Sequence, residues 1–152
     1  MDAHQELLAE FERVASPGSR IYDVMQLISD RLHASQTRYN WVGFYLLDEA
    51  DPDYLLLGPH AGVFTPPLRI SLNRGLCGAA ASAGRMVVVN DVSKDPRYLV
   101  GTDATKSEIV VPIAPRGAVV AVLDINSFFK DTWTKEETAF VEQCAALMKR
   151  CM

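Results

Sequence analysis

The chain has 152 residues, of which 49% are hydrophobic and 22% charged, as is typical of one globular domain. Its net charge of −4 and pI of about 5.3 exclude the strongly basic surface that attracts nucleic acid or an anionic membrane. No apolar run approaches the roughly 20 residues of a membrane helix, and no signal-peptide core is evident, so we expect a cytoplasmic protein.

Apolar residues at helical spacing predict two N-terminal amphipathic helices, near residues 3–15 and from Ile21 to about residue 34. Between them, the segment 16–19 reads Ser-Pro-Gly-Ser; the residue before a proline avoids helical backbone angles, and glycine adds a second break. Residues 1–39 are therefore assigned to these helices. A last helix is predicted within 134–152, where Thr-Lys-Glu-Glu forms a capping-box pattern.

Within residues 40–126 the apolar period changes to two, which predicts short strands. Trp41 and Tyr45 fall on one face of the first strand, and Val63–Pro67 is predicted as a loop. The predicted strands are 41–47, 54–57, 68–72, 86–89, 109–114 and 118–125, with a small helix at 76–83.

The connections between these strands are too short for full crossover helices, which favours an antiparallel sheet. The fold class predicted for the single domain 1–152 is therefore α+β. Its terminal helices would cover one face of a six-stranded antiparallel sheet, and a loop-covered pocket would occupy the other face. The polar connection 90–106 is long enough to cover such a pocket.

Two acidic residues flank the last predicted hairpin, whose turn is the segment 115–117, Pro-Arg-Gly. If those three residues form the whole loop, Glu108 lies opposite Asp124. Like charges in directly opposed positions are unfavourable, so the pair predicts a cationic ligand between them. The alternative is that Glu108 caps backbone amides or pairs with Lys106.

Six segments, in this order along the chain, resemble the GAF domain and, more narrowly, the free methionine-(R)-sulfoxide reductases. They are NWVGFYLL at 40–47, LGPHAG at 57–62, RGLCGAAA at 74–81, NDV at 90–92, TKSEIVVPI at 105–113 and LDIN at 123–126. The resemblance implies a six-stranded antiparallel sheet with helices on one side and a small-molecule pocket under loops on the other.

The same resemblance implies a binding site for an amino acid. Trp41 and Tyr45 would surround its methyl sulfoxide group, and Glu108 and Asp124 would take its ammonium group. At the second acid of the family motif this chain has Asn126, which keeps an oxygen acceptor but drops a charge.

The chain departs from these reductases at their redox cysteines. Gly101 occupies the place of the family nucleophile and Pro67 that of a second cysteine, so Cys77 alone is kept of the three. The family mechanism needs one thiolate to attack sulfur and another thiol to close a disulfide. Cys77 begins a predicted helix, where the helix dipole can lower a thiol pKa. The alternative is a buried packing residue, which is also our interpretation of Cys144 and Cys151.

Three functions follow as hypotheses. The leading one is a stand-alone GAF domain that binds an amino-acid-like or amine ligand without redox catalysis. The second is an active free methionine-(R)-sulfoxide reductase that uses Cys77 with an external thiol. The third is a dimerisation or partner-interaction module, including a homodimer. No cofactor or metal is predicted, because His4, His33 and His60 lack metal-ligand spacing; His60 lies in the segment that matches the family's pocket rim.

Overall fold

A six-stranded antiparallel sheet and four helices form the fold in a computed structural model that describes residues 1–100 and 104–152. The elements are α1 Ala3–Val14, α2 Ile21–Ser35, β1 Trp41–Leu47, β2 Tyr54–Gly62, β3 Arg69–Ser71, α3 Gly75–Ala83, β4 Val87–Val89, β5 Ser107–Ile113, β6 Ala121–Ser127 and α4 Lys135–Leu147. The strand order is β3-β2-β1-β6-β5-β4. All neighbouring strands are antiparallel, which confirms the predicted fold class.

The terminal helices begin at capped residues. Asp2 accepts a hydrogen bond from the backbone N–H of Gln5, whose side chain accepts one from the backbone of Asp2. At α4, the Thr134 hydroxyl accepts from the backbone N–H of Glu137 at 3.2 Å, as the sequence pattern predicts. The carboxylate of Glu137 accepts a hydrogen bond from Tyr39 instead, so it ties α4 to the segment before β1.

The sheet has two differently used faces. Helices α1, α2 and α4 pack on the face that carries Val42 and Phe44 of β1, and together they form the larger core. Trp41 and Tyr45 lie on the other face with α3. The period-two prediction for β1 is therefore confirmed. No helix formed by the described residues is long and apolar enough to cross a membrane.

Strand β2 is longer than the sequence predicts, because it continues past residue 57 to Gly62. The ladder to β1 shifts register by one residue between the pair Gly43–His60 and the pair Tyr45–Leu57. This irregularity accommodates Pro59, which has no N–H to donate to a regular ladder.

The predicted register of the last hairpin is wrong by two residues. Glu108 pairs with Asn126, and Asp124 pairs with Val110. The two acids are therefore diagonal neighbours on the same face of the sheet, at a separation that long side chains still bridge.

The hairpin loop covers residues 114–120 instead of the three turn residues. Ile113 and Ala121 are the last paired residues of the β5–β6 ladder. Val120 is held beside that ladder, since its N–H donates to Ile113 and its carbonyl accepts from Leu47 of β1. The contact with β1 extends the loop, and Gly117 makes the turn with a φ of 87°.

Candidate functional site

The residues predicted for the ligand site come together on the sheet face opposite the terminal helices. Asn126 lies at the centre, because β6 pairs it with Trp41 on one side and with Glu108 on the other. Side chains at alternate positions of neighbouring strands point the same way, which also brings Tyr45 and Asp124 to this face.

These side chains line one cavity of about 40 Å³. Its lining comprises Trp41, Tyr45, Phe64, Pro66, Pro67, Ile70, Gly75, Leu76, Cys77, Leu99, Glu108, Asp124 and Asn126.

Phe64 and Leu99 are wall residues that the sequence did not single out. Phe64 lies in the loop after β2, with its ring centroid 5.8 Å from that of Trp41. Leu99 belongs to the long connection before β5. The sequence indicates only that long and proline-rich loops often cover pockets. It does not show which residues of such a loop point inward, because loops have no regular period of apolar residues.

Two glycines leave room for the indole of Trp41 against the sheet. A Cβ atom at Gly43 would lie 2.5 Å from Cη2 of Trp41, and one at Gly62 would lie 2.4 Å from its Cδ1. Real Cβ atoms do not approach that closely, so these positions of the NWVGF and LGPHAG segments have to stay without a side chain. His60 also stacks on Trp41, at 5.7 Å between ring centroids, but it is exposed and does not line the cavity.

Glu108 and Asp124, the acid pair, are buried with exposures of 6% and 5%. Burial raises the pKa of both carboxyl groups, and the neighbouring Asp124 raises that of Glu108 further. The two carboxyl groups share a hydrogen bond, which requires one of them to carry a proton.

No basic side chain among residues 1–100 and 104–152 forms an ion pair with the acid pair. The described lining residues include no lysine, arginine or histidine, and residues 101–103 read Gly-Thr-Asp. The ion pairs formed within 1–100 and 104–152 do not include Glu108 with Lys106, the alternative considered from the sequence. A buried charge without a partner is costly, so the site favours a proton or a bound cation.

Asn126 holds the acid pair in place. Its side-chain oxygen accepts a hydrogen bond from the Thr105 hydroxyl at 3.2 Å, and its nitrogen donates to Asp124 at 3.4 Å. The amide thus satisfies one carboxylate oxygen without adding a third negative charge.

Cys77 is the third residue of α3 and lines the same cavity. Its Sγ atom and carboxylate oxygens of the acid pair all lie within 4.8 Å of one another, so the three residues together offer donor atoms to a cation. Burial, followed by the charges of Asp124 and Glu108, raises the pKa of the Cys77 thiol. The helix dipole considered from the sequence is therefore outweighed.

Of the two other family cysteine positions, one lies in the lining and one outside the described residues. At Pro67 the main-chain oxygen accepts a hydrogen bond from the Tyr45 hydroxyl at 2.8 Å. Gly101, the nucleophile position, belongs to the undescribed segment 101–103.

An antiparallel six-stranded sheet with helices on one face and a small pocket on the other defines the class of this protein. The chain belongs to the GAF domain family, whose model matches residues 21–151. Its relatives include free methionine-R-sulfoxide reductases, as the six sequence segments predict. That of Escherichia coli is 28% identical over 149 residues, which cover 98% of this chain and 88% of the relative.

Two solved reductase structures show the same similarity. The enzyme of Neisseria meningitidis, solved in complex with its substrate, has a TM-score of 0.89 and 29% identity, over 97% of this chain and 86% of that one. The type II enzyme of Thermoplasma acidophilum has a TM-score of 0.78 and 34% identity, over 93% and 92% of the two chains.

Proposed function

We propose that this GAF domain binds a small molecule with an ammonium group, either an amine or an amino acid, without the redox catalysis of its relatives. The observation that carries the proposal is the buried acid pair in a cavity whose described lining contains no basic residue. Ionic hydrogen bonds from an ammonium group would replace the shared proton of the pair, and each contributes about 1.5–3 kcal/mol.

The remaining wall of the cavity suits the apolar part of such a ligand. Trp41, Tyr45 and Phe64 lie beside one another, with the Trp41 ring centroid 6.3 Å from that of Tyr45 and 5.8 Å from that of Phe64. A short alkyl or thioether chain attached to the ammonium group would pack against these rings, as the family resemblance also implies.

The state of the cysteines supports a binding function over a catalytic one. A nucleophilic cysteine reacts as the thiolate, whereas the surroundings of Cys77 favour the thiol. Cys144 and Cys151 belong to the core on the opposite face of the sheet, so neither can resolve a disulfide with Cys77. The family nucleophile position holds Gly101, which has no thiol.

One observation favours reductase activity as the second candidate. Cys77 lies in the same cavity as the acid pair, so a bound sulfoxide would lie near its sulfur. Turnover on this cysteine would require an external thiol to reach a side chain that is 4% exposed.

A function in helix pairing receives less support. The apolar stripes of α1, α2 and α4 are buried against the sheet, including Phe11, Ile28 and Phe140. Each of these stripes is thus already used within the chain. A homodimer and a cytoplasmic location stay predictions, and light scattering of the purified protein tests the first.

Titration calorimetry with L-methionine-(R)-sulfoxide, L-methionine and methylamine tests the proposed function. We expect Glu108→Gln to weaken binding at least about tenfold, since one ionic contact is lost. Glu10→Gln is the matched control, because Glu10 forms a surface ion pair with Arg31 at 2.9 Å on the helical side.

A parallel assay follows methionine formation from the sulfoxide with dithiothreitol. Binding without turnover supports the proposal. Turnover that disappears in Cys77→Ser would establish the reductase instead, and the absence of binding by all three compounds would refute the ligand site.

A further inference from the structure

Three buried side chains bring metal-ligating atoms together in the cavity. The Sγ atom of Cys77 and one carboxylate oxygen each of Glu108 and Asp124 all lie within 4.8 Å of one another. Residues 1–100 and 104–152 form no second group of this kind. The three residues, which we call the donor cluster, have exposures of 4%, 6% and 5%. An ammonium ligand needs only the carboxylates, so the proposed function leaves the sulfur of the cluster unexplained.

Packed elements hold the donor cluster in place. Cys77 comes from α3, and the acid pair comes from β5 and β6. Helix α3 packs closely on the end of β3, since a Cβ atom at Gly78 would lie 2.8 Å from the main-chain oxygen of Ser71. Asn126 donates to Asp124 at 3.4 Å, the kind of outer hydrogen bond that orients a carboxylate ligand in metal sites. The donor atoms are therefore positioned by rigid elements, as a metal site requires.

The spacing of the donor atoms suits a zinc ion. Zinc bonds to sulfur at about 2.3 Å and to carboxylate oxygen at about 2.0–2.2 Å, so the ligand atoms of a tetrahedral site lie roughly 3.4–3.6 Å apart. Atoms that already lie within 4.8 Å of one another reach that separation by small side-chain rotations. Mg²⁺ and Ca²⁺ take oxygen ligands, whereas a thiolate selects a softer ion such as Zn²⁺.

A buried donor beside the cluster is an independent sign that the cavity holds a further group. The indole N–H of Trp41 has no acceptor among residues 1–100 and 104–152, and the side chain is 0% exposed. Trp41 lines the same cavity as the donor cluster, and buried polar groups in proteins are nearly always paired. Three protein ligands leave one tetrahedral position for water. The oxygen of a water molecule held there would give the indole an acceptor.

We propose that Cys77, Glu108 and Asp124 bind one Zn²⁺ ion, with water in the fourth position. Binding releases the thiol proton and the proton of the acid pair to solvent, because the ligands have to be deprotonated. The ion then offsets two of the three negative charges that the ligands carry. The proposal goes beyond the proposed function, since the ion and an ammonium group need the same carboxylate oxygens. Each therefore excludes the other, and zinc would control whether the amine or amino acid binds.

Cobalt(II) tests the site directly, because it takes the place of zinc in such sites and its absorption reports the ligands. The protein is freed of metal with a chelator, kept reduced with a phosphine and titrated with CoCl₂. We expect a sulfur-to-cobalt charge-transfer band and the visible bands of a tetrahedral ion, both saturating at one ion per chain. Added Zn²⁺ should remove these bands, and Mg²⁺ should leave them unchanged. Absence of the charge-transfer band in the wild type would overturn the proposal.

Variants identify the sulfur and the carboxylates, and circular dichroism checks that each variant is folded. Cys77→Ser should abolish the charge-transfer band and weaken Zn²⁺ binding in calorimetry at least about a hundredfold, the upper end of what loss of an outer partner costs. The double variant with Cys144→Ala and Cys151→Ala keeps Cys77 as the last thiol of the chain and should keep the band. Glu108→Gln should weaken Zn²⁺ binding at least about tenfold. A band that survives in Cys77→Ser would overturn the proposal, because the ion would then lie on another cysteine.

Competition with methylamine separates this proposal from the proposed function. Methylamine should bind the metal-free protein and lose its measurable affinity once one equivalent of Zn²⁺ is bound. Equal binding of methylamine with and without zinc would refute a shared site. Methylamine binding without any cobalt band would refute the zinc site and leave the proposed function standing. A cobalt band that depends on Cys77 and Glu108, without binding of any ammonium compound, would establish the zinc site and refute the proposed function.

Discussion

Replacing Glu108 with glutamine should stabilise the ligand-free protein while it weakens the ligand site. Burial raises the pKa of Glu108 well above its ordinary 4.5 and that of Asp124 above 3.8. The folded state therefore retains protons that the unfolded chain releases. The corresponding stability is fully present below pH 3.8, the lower of the two ordinary values, and is lost as the pH rises through the raised pKa values.

Glutamine is neutral at every pH and still offers a hydrogen bond to Asp124. The difference in unfolding free energy between Glu108→Gln and wild type should thus grow with pH. We expect it to be small near pH 5 and to reach about 1–3 kcal/mol at about pH 8, the usual cost of a buried polar group without full compensation. For a chain of this length, that range raises the melting midpoint by about 2–12 °C.

Thermal unfolding followed by circular dichroism across this pH range measures the difference directly. Glu137→Gln is the contrasting control, because its carboxylate accepts from the Tyr39 hydroxyl and lies 3.4 Å from His4. That variant should lower the midpoint. A Glu108→Gln protein that is no more stable than wild type at about pH 8 would show that the buried pair carries no electrostatic cost, and the basis for a cation site would be removed.

The remaining predictions concern thiol reactivity, backbone packing and the pH dependence of binding. Cys77 should stay unlabelled by iodoacetamide in the native protein, and Cys151, in the last turn of the chain, should react first; rapid labelling of Cys77 would contradict the raised pKa of its thiol. Gly43→Ala should destabilise the protein by about 1–3 kcal/mol through its clash with Trp41, whereas Gly18→Ala, which meets no atom within 4 Å, should cost little in chemical denaturation. Calorimetric affinity for methylamine should rise with pH, by at most about tenfold per unit, because the bound cation displaces the proton of the acid pair; a flat profile would argue against that exchange.

The sequence predicts which residues share the pocket face, because strand alternation depends only on residue order. Trp41 and Tyr45 lie on one side of β1 as expected. The apolar residues at helical spacing in α1 and α2 are buried against the other side of the sheet, as their pattern predicts. The six segments of family resemblance indicate the fold class, and two of them contain glycines, Gly43 and Gly62, that the close packing of Trp41 on the sheet requires.

The register of β5 against β6, which positions Glu108 and Asp124, could not be predicted from the sequence. The width of the last hairpin depends on Val120, which bonds to Leu47 of a strand that comes more than seventy residues earlier. No local turn pattern contains that contact. The protonation of Cys77 likewise depends on carboxylates from β5 and β6, while the sequence around it shows only the start of a helix.

The central position of the β1–β6 ladder has a consequence for biosynthesis. Trp41 pairs with Asn126, so β1 is made 85 residues before its partner. At the usual translation rate this interval lasts about 4–17 s, during which the seven apolar-rich residues of β1 have no β6 to pair with. In the finished sheet both edges are three-residue strands, too short to recruit another chain readily. The nascent chain is therefore most exposed to aggregation before β6 has left the ribosome, and a chaperone that covers β1 in that interval should raise the yield of folded protein.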